Sequence, residues 1–281
     1  MRVSRYDPPM ASARSYEFDT ATRIKQVGGH WQGSIAEGWD MGGTPNGGYQ
    51  LAIASRAILA ATDQPDVISL LATFLGRAHP GPVTIAIAVV PSRSRRHVAT
   101  VTTVSQDDLP TTVIQALTGH LPASAGQRMW EASPPPLDPA ETYPRLLPVD
   151  PAAPLPPPFV RHVDLHIPHE YTGFTAGKAH GTPSIIGWVK FPDDRPIDTM
   201  ALPVFADAFP PAVFNTGGAL GWVPTLTLSI QIRRRPKGPW LAASFRSRFV
   251  DDTYLDEDGE LWDTDGTLVA LSRQLALAPR G

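Results

Sequence analysis

The chain has 281 residues, 24 basic and 27 acidic, with a net charge of −3 and no cysteine. That length fits one large domain or two small ones. The charge balance carries no nucleic-acid footprint, and the missing cysteine excludes disulfides, thiolate nucleophiles and Cys-ligated metals. No apolar run reaches the length of a signal peptide or a membrane span, so a cytoplasmic protein is expected. Hydrophobic content of 42% fits a sizeable core, and the unusual count is 31 prolines.

Residues 1–26 read as an irregular arm, and Trp31 to Ile35 as a short strand. Gly42-Gly43-Thr44-Pro45-Asn46-Gly47-Gly48-Tyr49 is a turn. It opens a helix that runs from Gln50 to about Thr62, with Pro65 as the stop. Arg56 is its single charge and alanines recur along it, so the helix has no polar face and is expected to be wrapped by other structure. Its N-terminal amides suit an oxyanion, a phosphate or a solvent molecule. A nucleotide loop is disfavoured, because the Gly-Lys-Ser/Thr ending is missing.

Beyond Pro65 the period changes to two. Val67 to Leu75, Val83 to Val90, His97 to Val104 and Thr111 to His120 read as strands of an antiparallel meander. Residues 133–158 hold a dense run of prolines. Such a run joins neither a ladder nor a helix interior, and is read as an extended linker ahead of a partner-recognition motif. In the second half, Phe159 to Ile167 and Ser184 to Phe191 alternate as strands. Asp198 to Phe209 reads as a helix, with Asp198 or Thr199 as its N-cap and Pro203 in the first turn or at a kink. Thr225 to Ile232, Trp240 to Val250, and the pair 253–263 and 267–277 joined by Asp265-Gly266 are strands. Both halves thus run strand, buried helix, antiparallel strands. The expected architecture is α+β: a double hotdog of two antiparallel sheets, each around a central helix, with an N-terminal unit 1–132, a linker 133–158 and a C-terminal unit 159–281.

Four segments resemble TesB-like acyl-CoA thioesterases (acyl-CoA thioesterase II). They are Thr44-Pro45-Asn46-Gly47-Gly48-Tyr49, Phe205-Ala206-Asp207 with Phe209-Pro210, Pro224-Thr225-Leu226-Thr227-Leu228, and Leu268-Val269-Ala270-Leu271-Ser272-Arg273-Gln274. Each is weak alone; their order and spacing are specific. The resemblance covers roughly residues 28–120 and 159–278. It departs from the family in lacking the Gly-Gly-Gln form of the glycine turn, and in a strand that ends in Arg233-Arg234-Arg235. It implies hydrolysis of an acyl-CoA to free fatty acid and CoA, in fatty-acid and lipid metabolism, by water and without metal or cofactor. The implied catalytic set is Asp207, Thr225 and Gln274.

The chemistry fits those residue types. A carboxylate can accept a proton from water, and burial in an apolar helix raises its pKa. A threonine hydroxyl and a glutamine amide can fix the water, and the amide has no basicity of its own. Amides at Gly47, Gly48 and Tyr49 are candidates to hold the carbonyl oxyanion, at up to about 3–4 kcal/mol for one donor. Arg233 and Arg234 are candidates for CoA phosphates, with a solvated strand end as the equal alternative.

Simpler readings stand beside these: Asp207 as a cap or surface acid, Thr225 as an ordinary strand threonine on the polar side with Thr227, Ser229 and Gln231, and Gln274 as an edge residue. His162, His166 and His169 lack the spacing of a metal site. Asp256-Glu257-Asp258-Gly259 lacks that of a calcium loop and reads as a turn. No Gly-x-Ser-x-Gly elbow is present. The alternatives to a thioesterase are a hotdog enoyl-CoA hydratase or dehydratase, whose Asp-x-Asn-Pro-x-x-x-His segment is not visible, and a non-catalytic acyl-CoA-binding protein. A double hotdog contains its own pseudo-dimer, and pairs of them are a possible homo-oligomer.

Overall fold

The structure is a computed structural model describing residues 15–123, 132–147, 156–218 and 220–279. Its first half holds α1 (Glu17–Ala21), β1 (Ile24–Val27), β2 (His30–Ile35), α2 (Gly47–Thr62), β3 (Asp66–Phe74), β4 (Gly81–Val90), β5 (His97–Gln106) and β6 (Leu109–Gly119). The second holds β7 (Asp164–His166), β8 (Ser184–Lys190), α3 (Leu202–Phe205), β9 (Thr225–Ile232), β10 (Leu241–Arg246), β11 (Tyr254–Asp263) and β12 (Leu268–Leu277). The strands form one twelve-stranded sheet in the order β1-β2-β4-β5-β6-β3-β9-β12-β11-β10-β8-β7. Every neighbour pair is antiparallel. The two expected sheets are therefore joined edge to edge, β3 against β9, with Ser69 opposite Gln231 and Thr73 opposite Thr227.

Helix α2 is buried as its composition requires. Leu51, Ala52, Ala54, Ala57 and Ile58 are fully enclosed, and their small side chains let the surrounding sheet approach. Asn46 caps it, its Oδ1 accepting from Tyr49 N at 2.8 Å, and Asp63 ends it in a left-handed conformation at φ 50°. Its lone charge, Arg56, reaches out to Asp19 Oδ1 at 2.6 Å.

The second helix is much shorter than the span 198–209. Asp198 does cap the approach, its Oδ1 accepting from Met200 N and Ala201 N at 3.1 and 3.2 Å. Regular helix then lasts only for α3. Pro203 sits in the first turn, where its missing N–H costs nothing. Asp207 N turns back to Val204 O at 3.1 Å, one residue tighter than an α-helical bond, and Pro210 and Pro211 prevent resumption.

Two other segments differ from expectation. Residues read as an irregular arm contain α1, held from outside by Asp193 on Glu17 N and by Arg195 on Asp19, and most of β1, which pairs with β2. The span Phe159–Ile167 starts as a 3-10 turn, Pro158–Arg161, and only Asp164–His166 pairs as a strand. Two prolines at its head fix φ and remove donors. Of the proline-rich stretch, residues 148–155 lie outside the described residues. Its earlier part docks on the second half, with Leu146 N bonded to Leu165 O at 2.8 Å and Trp188 Nε1 donating to Asp138 O at 2.8 Å. Among the described residues no helix is long and apolar enough to cross a membrane.

Candidate active site

Asp207 follows α3 and meets the start of α2. Its Oδ2 accepts from Gly48 N at 2.9 Å and from Asn46 Nδ2 at 2.9 Å, while the same amide nitrogen donates to Asp207 O at 2.6 Å. A helix N-terminus offers unpaired N–H groups and partial positive charge, so a carboxylate is held there. The glycines are needed for this approach. A Cβ at position 48 would collide with the Pro203 carbonyl oxygen, and one at 47 would come within 2.8 Å of Phe74 Cζ and 3.1 Å of Asp207 Oδ2. The surround is largely apolar, with Val204, Phe205, Ala208 and Phe209 all buried. Burial pushes the Asp207 carboxyl up to about 6, against the pull of the Gly48 and Gly47 amides. The residue as a whole is partly exposed.

Thr225 opens β9, on the side of that strand opposite to the one alternation assigns it. Between β9 and β12 the register slips: Leu275 faces Thr227, but Ala276 faces Thr225, leaving Leu226 as an extra residue. Such a bulge re-aims the side chains before it. Thr225 thereby leaves the face of Thr227 and Ser229 and joins that of buried Leu228, which stands opposite Gln274. The two candidates meet there, Thr225 Oγ1 donating to Gln274 Oε1 at 3.2 Å.

A further acid joins them. Glu257 stands directly opposite Gln274 on β11; its Oε1 accepts from Gln274 Nε2 at 3.2 Å and its Oε2 from Ala212 N at 2.6 Å. Asp256-Glu257-Asp258-Gly259 is thus the middle of a strand and no turn. A sequence signal existed: Leu255, Glu257, Gly259 and Leu261 alternate on one face, so an acid stands among core positions. The charge of Asp207 is felt at Glu257, which ties the two carboxyls to one region. Thr225, Gln274 and Glu257 are linked by hydrogen bonds, and none of the described hydrogen bonds runs from Asp207 to these three.

The remaining candidates fall elsewhere. The Gly48 amide is occupied by Asp207 and the Tyr49 amide by Asn46, so neither is free for an oxyanion; the Gly47 amide faces the Asp207 carboxyl as well. The Tyr49 side chain is fully enclosed, its hydroxyl donating to Ala21 O at 2.7 Å and accepting from Ala36 N at 3.0 Å, and it braces the fold. Arg233 and Arg234 lie past the far end of the 8-residue β9, roughly 25 Å from Thr225 along the strand. They line an open pocket of about 430 Å³ with Ser69 and Gln231. That pocket is on the outer face of the sheet, since the adjacent pair Leu70 and Ile230 points into the core. The two arginines thus lie at the other end of the strand from Thr225. His162 binds Glu17 Oε1 at 2.8 Å and His166 binds the carbonyls of Ala140 and Tyr143.

An antiparallel sheet packed on one long helix, followed in the same chain by a second antiparallel half with a four-residue helix, is a double hotdog. The chain belongs to the acyl-CoA thioesterase family: the model for that family's N-terminal domain matches residues 35–119 and the model for its C-terminal domain matches residues 131–278. These are the domains of a thioester hydrolase. Among solved structures, a protein provisionally named thioesterase II from Thermobifida fusca YX is 28% identical, with a TM-score of 0.84, covering 94% of this chain and 98% of that one. A hot dog fold protein of unknown function from Alicyclobacillus acidocaldarius is 24% identical, with a TM-score of 0.81 over 95% and 100% of the two chains. The acyl-CoA thioesterase II TesB2 of Mycobacterium marinum shares the fold at 16% identity and a TM-score of 0.67, over 94% and 99%. No curated protein matches the sequence.

Proposed function

We propose that this protein hydrolyses acyl-CoA to a free carboxylic acid and CoA, within fatty-acid metabolism, using a water held between Asp207 and the Thr225–Gln274 pair. The observation that carries this reading is the arrangement of Asp207. The described bonds from Gly48 N and Asn46 Nδ2 both end on Asp207 Oδ2, and in this reading the water binds at the other carboxylate oxygen. A carboxyl near pKa 6 is ionised at neutral pH, yet basic enough to take a proton as the water attacks.

The water oxygen forms a bond to the thioester carbon while one of its protons passes to Asp207. The carbonyl π pair moves onto oxygen. As that pair returns, the C–S bond breaks and the sulfur leaves with its electrons. It takes up the proton from Asp207, which is restored as a carboxylate. Thr225 and Gln274 set the direction of the water and exchange no proton. In this reading residues 1–132 and 159–281 are two hotdog units tethered by 133–158.

Release of free thiol from acyl-CoAs of graded chain length, followed with a chromogenic thiol reagent, tests the proposal. Turnover is expected for at least one chain length and is lost in Asp207→Ala. Thiol release from none of them, by folded protein, overturns it.

A further inference from the structure

Glu257 has no place in the reaction so far, yet its position is unusual. It is 8% exposed, on the core-facing side of β11 between Leu255 and Leu261. No lysine or arginine pairs with it among the described residues. A carboxylate buried without a cation is costly, and an apolar residue of similar volume would serve packing better. Its contacts face the site: one oxygen takes the Ala212 amide and the other the side-chain amide of Gln274.

We propose that ionised Glu257 is a positioning residue that locks the Gln274 amide with its NH2 toward β11 and its oxygen toward Thr225, so that the Thr225 hydroxyl donates to Gln274 and offers its lone pairs to the attacking water. This rests on the water-activating reading of Asp207, Thr225 and Gln274. The hydrogen-bond arithmetic requires it. A carboxylate has only acceptors, so the Gln274 group facing it must be the donor nitrogen. The Gln274 oxygen then faces Thr225 and takes its hydroxyl proton. The water directs one proton to Asp207 and the other to Thr225 Oγ1, which leaves an oxygen lone pair for the thioester carbon. With Glu257 protonated the order reverses. Its hydroxyl donates to the Gln274 oxygen, the Gln274 NH2 turns to Thr225, and the threonine proton points at the water.

The charged groups around Glu257 are Asp207, from the segment after α3, and its strand neighbour Asp256, itself bonded by Arg273 Nη2 at 3.0 Å and by the amides of Arg248 and Phe249. From the turn Ala212–Thr216 comes the Ala212 amide, and from β12 the neutral Gln274. Burial lifts the Glu257 carboxyl to about 7; the Ala212 amide opposes this, and the charges of Asp207 and Asp256 add to it. The lock therefore closes as pH rises through neutrality, above the ionisation of Asp207.

The test is kcat against pH for the whole chain, measured by thiol release at saturating acyl-CoA. Two ionisations are expected in the acid limb of the wild type, and one in Glu257→Gln. That variant should lower kcat about tenfold or more, with KM within about twofold. In a Gln274→Ala background the same substitution should change kcat by less than about twofold, because it acts through Gln274. A single ionisation in the wild type overturns the proposal, and that result needs no variant to fold. So does a Glu257→Gln kcat within about twofold of wild type, or an undiminished effect without Gln274. If Asp207→Asn instead keeps wild-type turnover, the water-activating reading itself fails, whatever Glu257 does.

Discussion

Replacing Asp207 by asparagine should make the protein more stable and nearly inactive. The two side chains are close in shape, and the amide oxygen of asparagine can keep the bonds from Gly48 N and Asn46 Nδ2 that now end on Oδ2. What changes is charge. The carboxyl has an ordinary value of 3.8 and is raised to about 6 in the fold, first by burial. The charged form is thus disfavoured in the folded state by about 3 kcal/mol at neutral pH. The sign follows from linkage. Below about pH 4 the group is protonated in both states and costs nothing; the penalty grows as pH rises to about 6 and is full above it. Asparagine removes that penalty, so Asp207→Asn should gain up to about 3 kcal/mol at pH 7.5, roughly 5 °C or more in Tm, and almost nothing at pH 4. Loss of the base should lower kcat about 10²- to 10⁴-fold. Thermal melts at the two pH values, paired with thiol release from an acyl-CoA, check both halves. A variant that is less stable at pH 7.5 would refute the reasoning, since it would make the carboxylate a net anchor; turnover within about tenfold of wild type would refute the role as base.

Other perturbations separate chemistry from architecture. Thr225→Val should cut kcat about 10- to 100-fold with the melting temperature nearly unchanged, and Thr225→Ser should restore most of it, because only the hydroxyl is used; equal activity of both variants in steady-state kinetics would count against the bonded pair with Gln274. Gly48→Ala drives a methyl into the Pro203 carbonyl and should cost about 1–3 kcal/mol in denaturant melts while disturbing Asp207, so activity per folded molecule falls as well. Arg195→Met removes a guanidinium, 6% exposed, that bonds both Asp19 and Asp198. It should cost about 2 kcal/mol, below a fully buried pair because both acids reach solvent, and leave kcat intact; an unchanged melt would show that α1 is held by other contacts.

The sequence made the strands of both halves legible because strict alternation has one explanation. Thr225 to Ile232 matches β9 residue for residue. The buried helix was legible too, since Leu51 to Ala61 with a single arginine has no polar face to offer water. Three features were not. Partners of α1 such as Asp193 and Arg195 lie more than 150 positions away, so nothing local announces that helix, and β1 is a four-residue strand defined only by its pairing with β2. The bulge at Leu226 is invisible to a period-two reading, which placed Thr225 on the polar side with Thr227, Ser229 and Gln231. Glu257 was hidden by its neighbours: Asp256-Glu257-Asp258-Gly259 has turn composition, and pairing against β12 and β10 keeps it extended. The family resemblance pointed to Asp207, Thr225 and Gln274 as a set, while the residues gave no sign that Gly48 and Asn46 are where the aspartate is held.

That attachment crosses between the halves. Gly48 and Asn46 come from the unit with the long helix, and Asp207 from the unit with the short one. Two separate polypeptides would have to find each other to build such a site, and their occupancy would fall on dilution by mass action. Here the encounter is intramolecular, at an effective concentration on the order of millimolar for a short tether, so specific activity should not change with enzyme concentration. Joining the halves also removes the obligation to be alike. One holds a 16-residue helix whose N-terminus receives a carboxylate; the other has a helix of four residues and supplies the carboxylate.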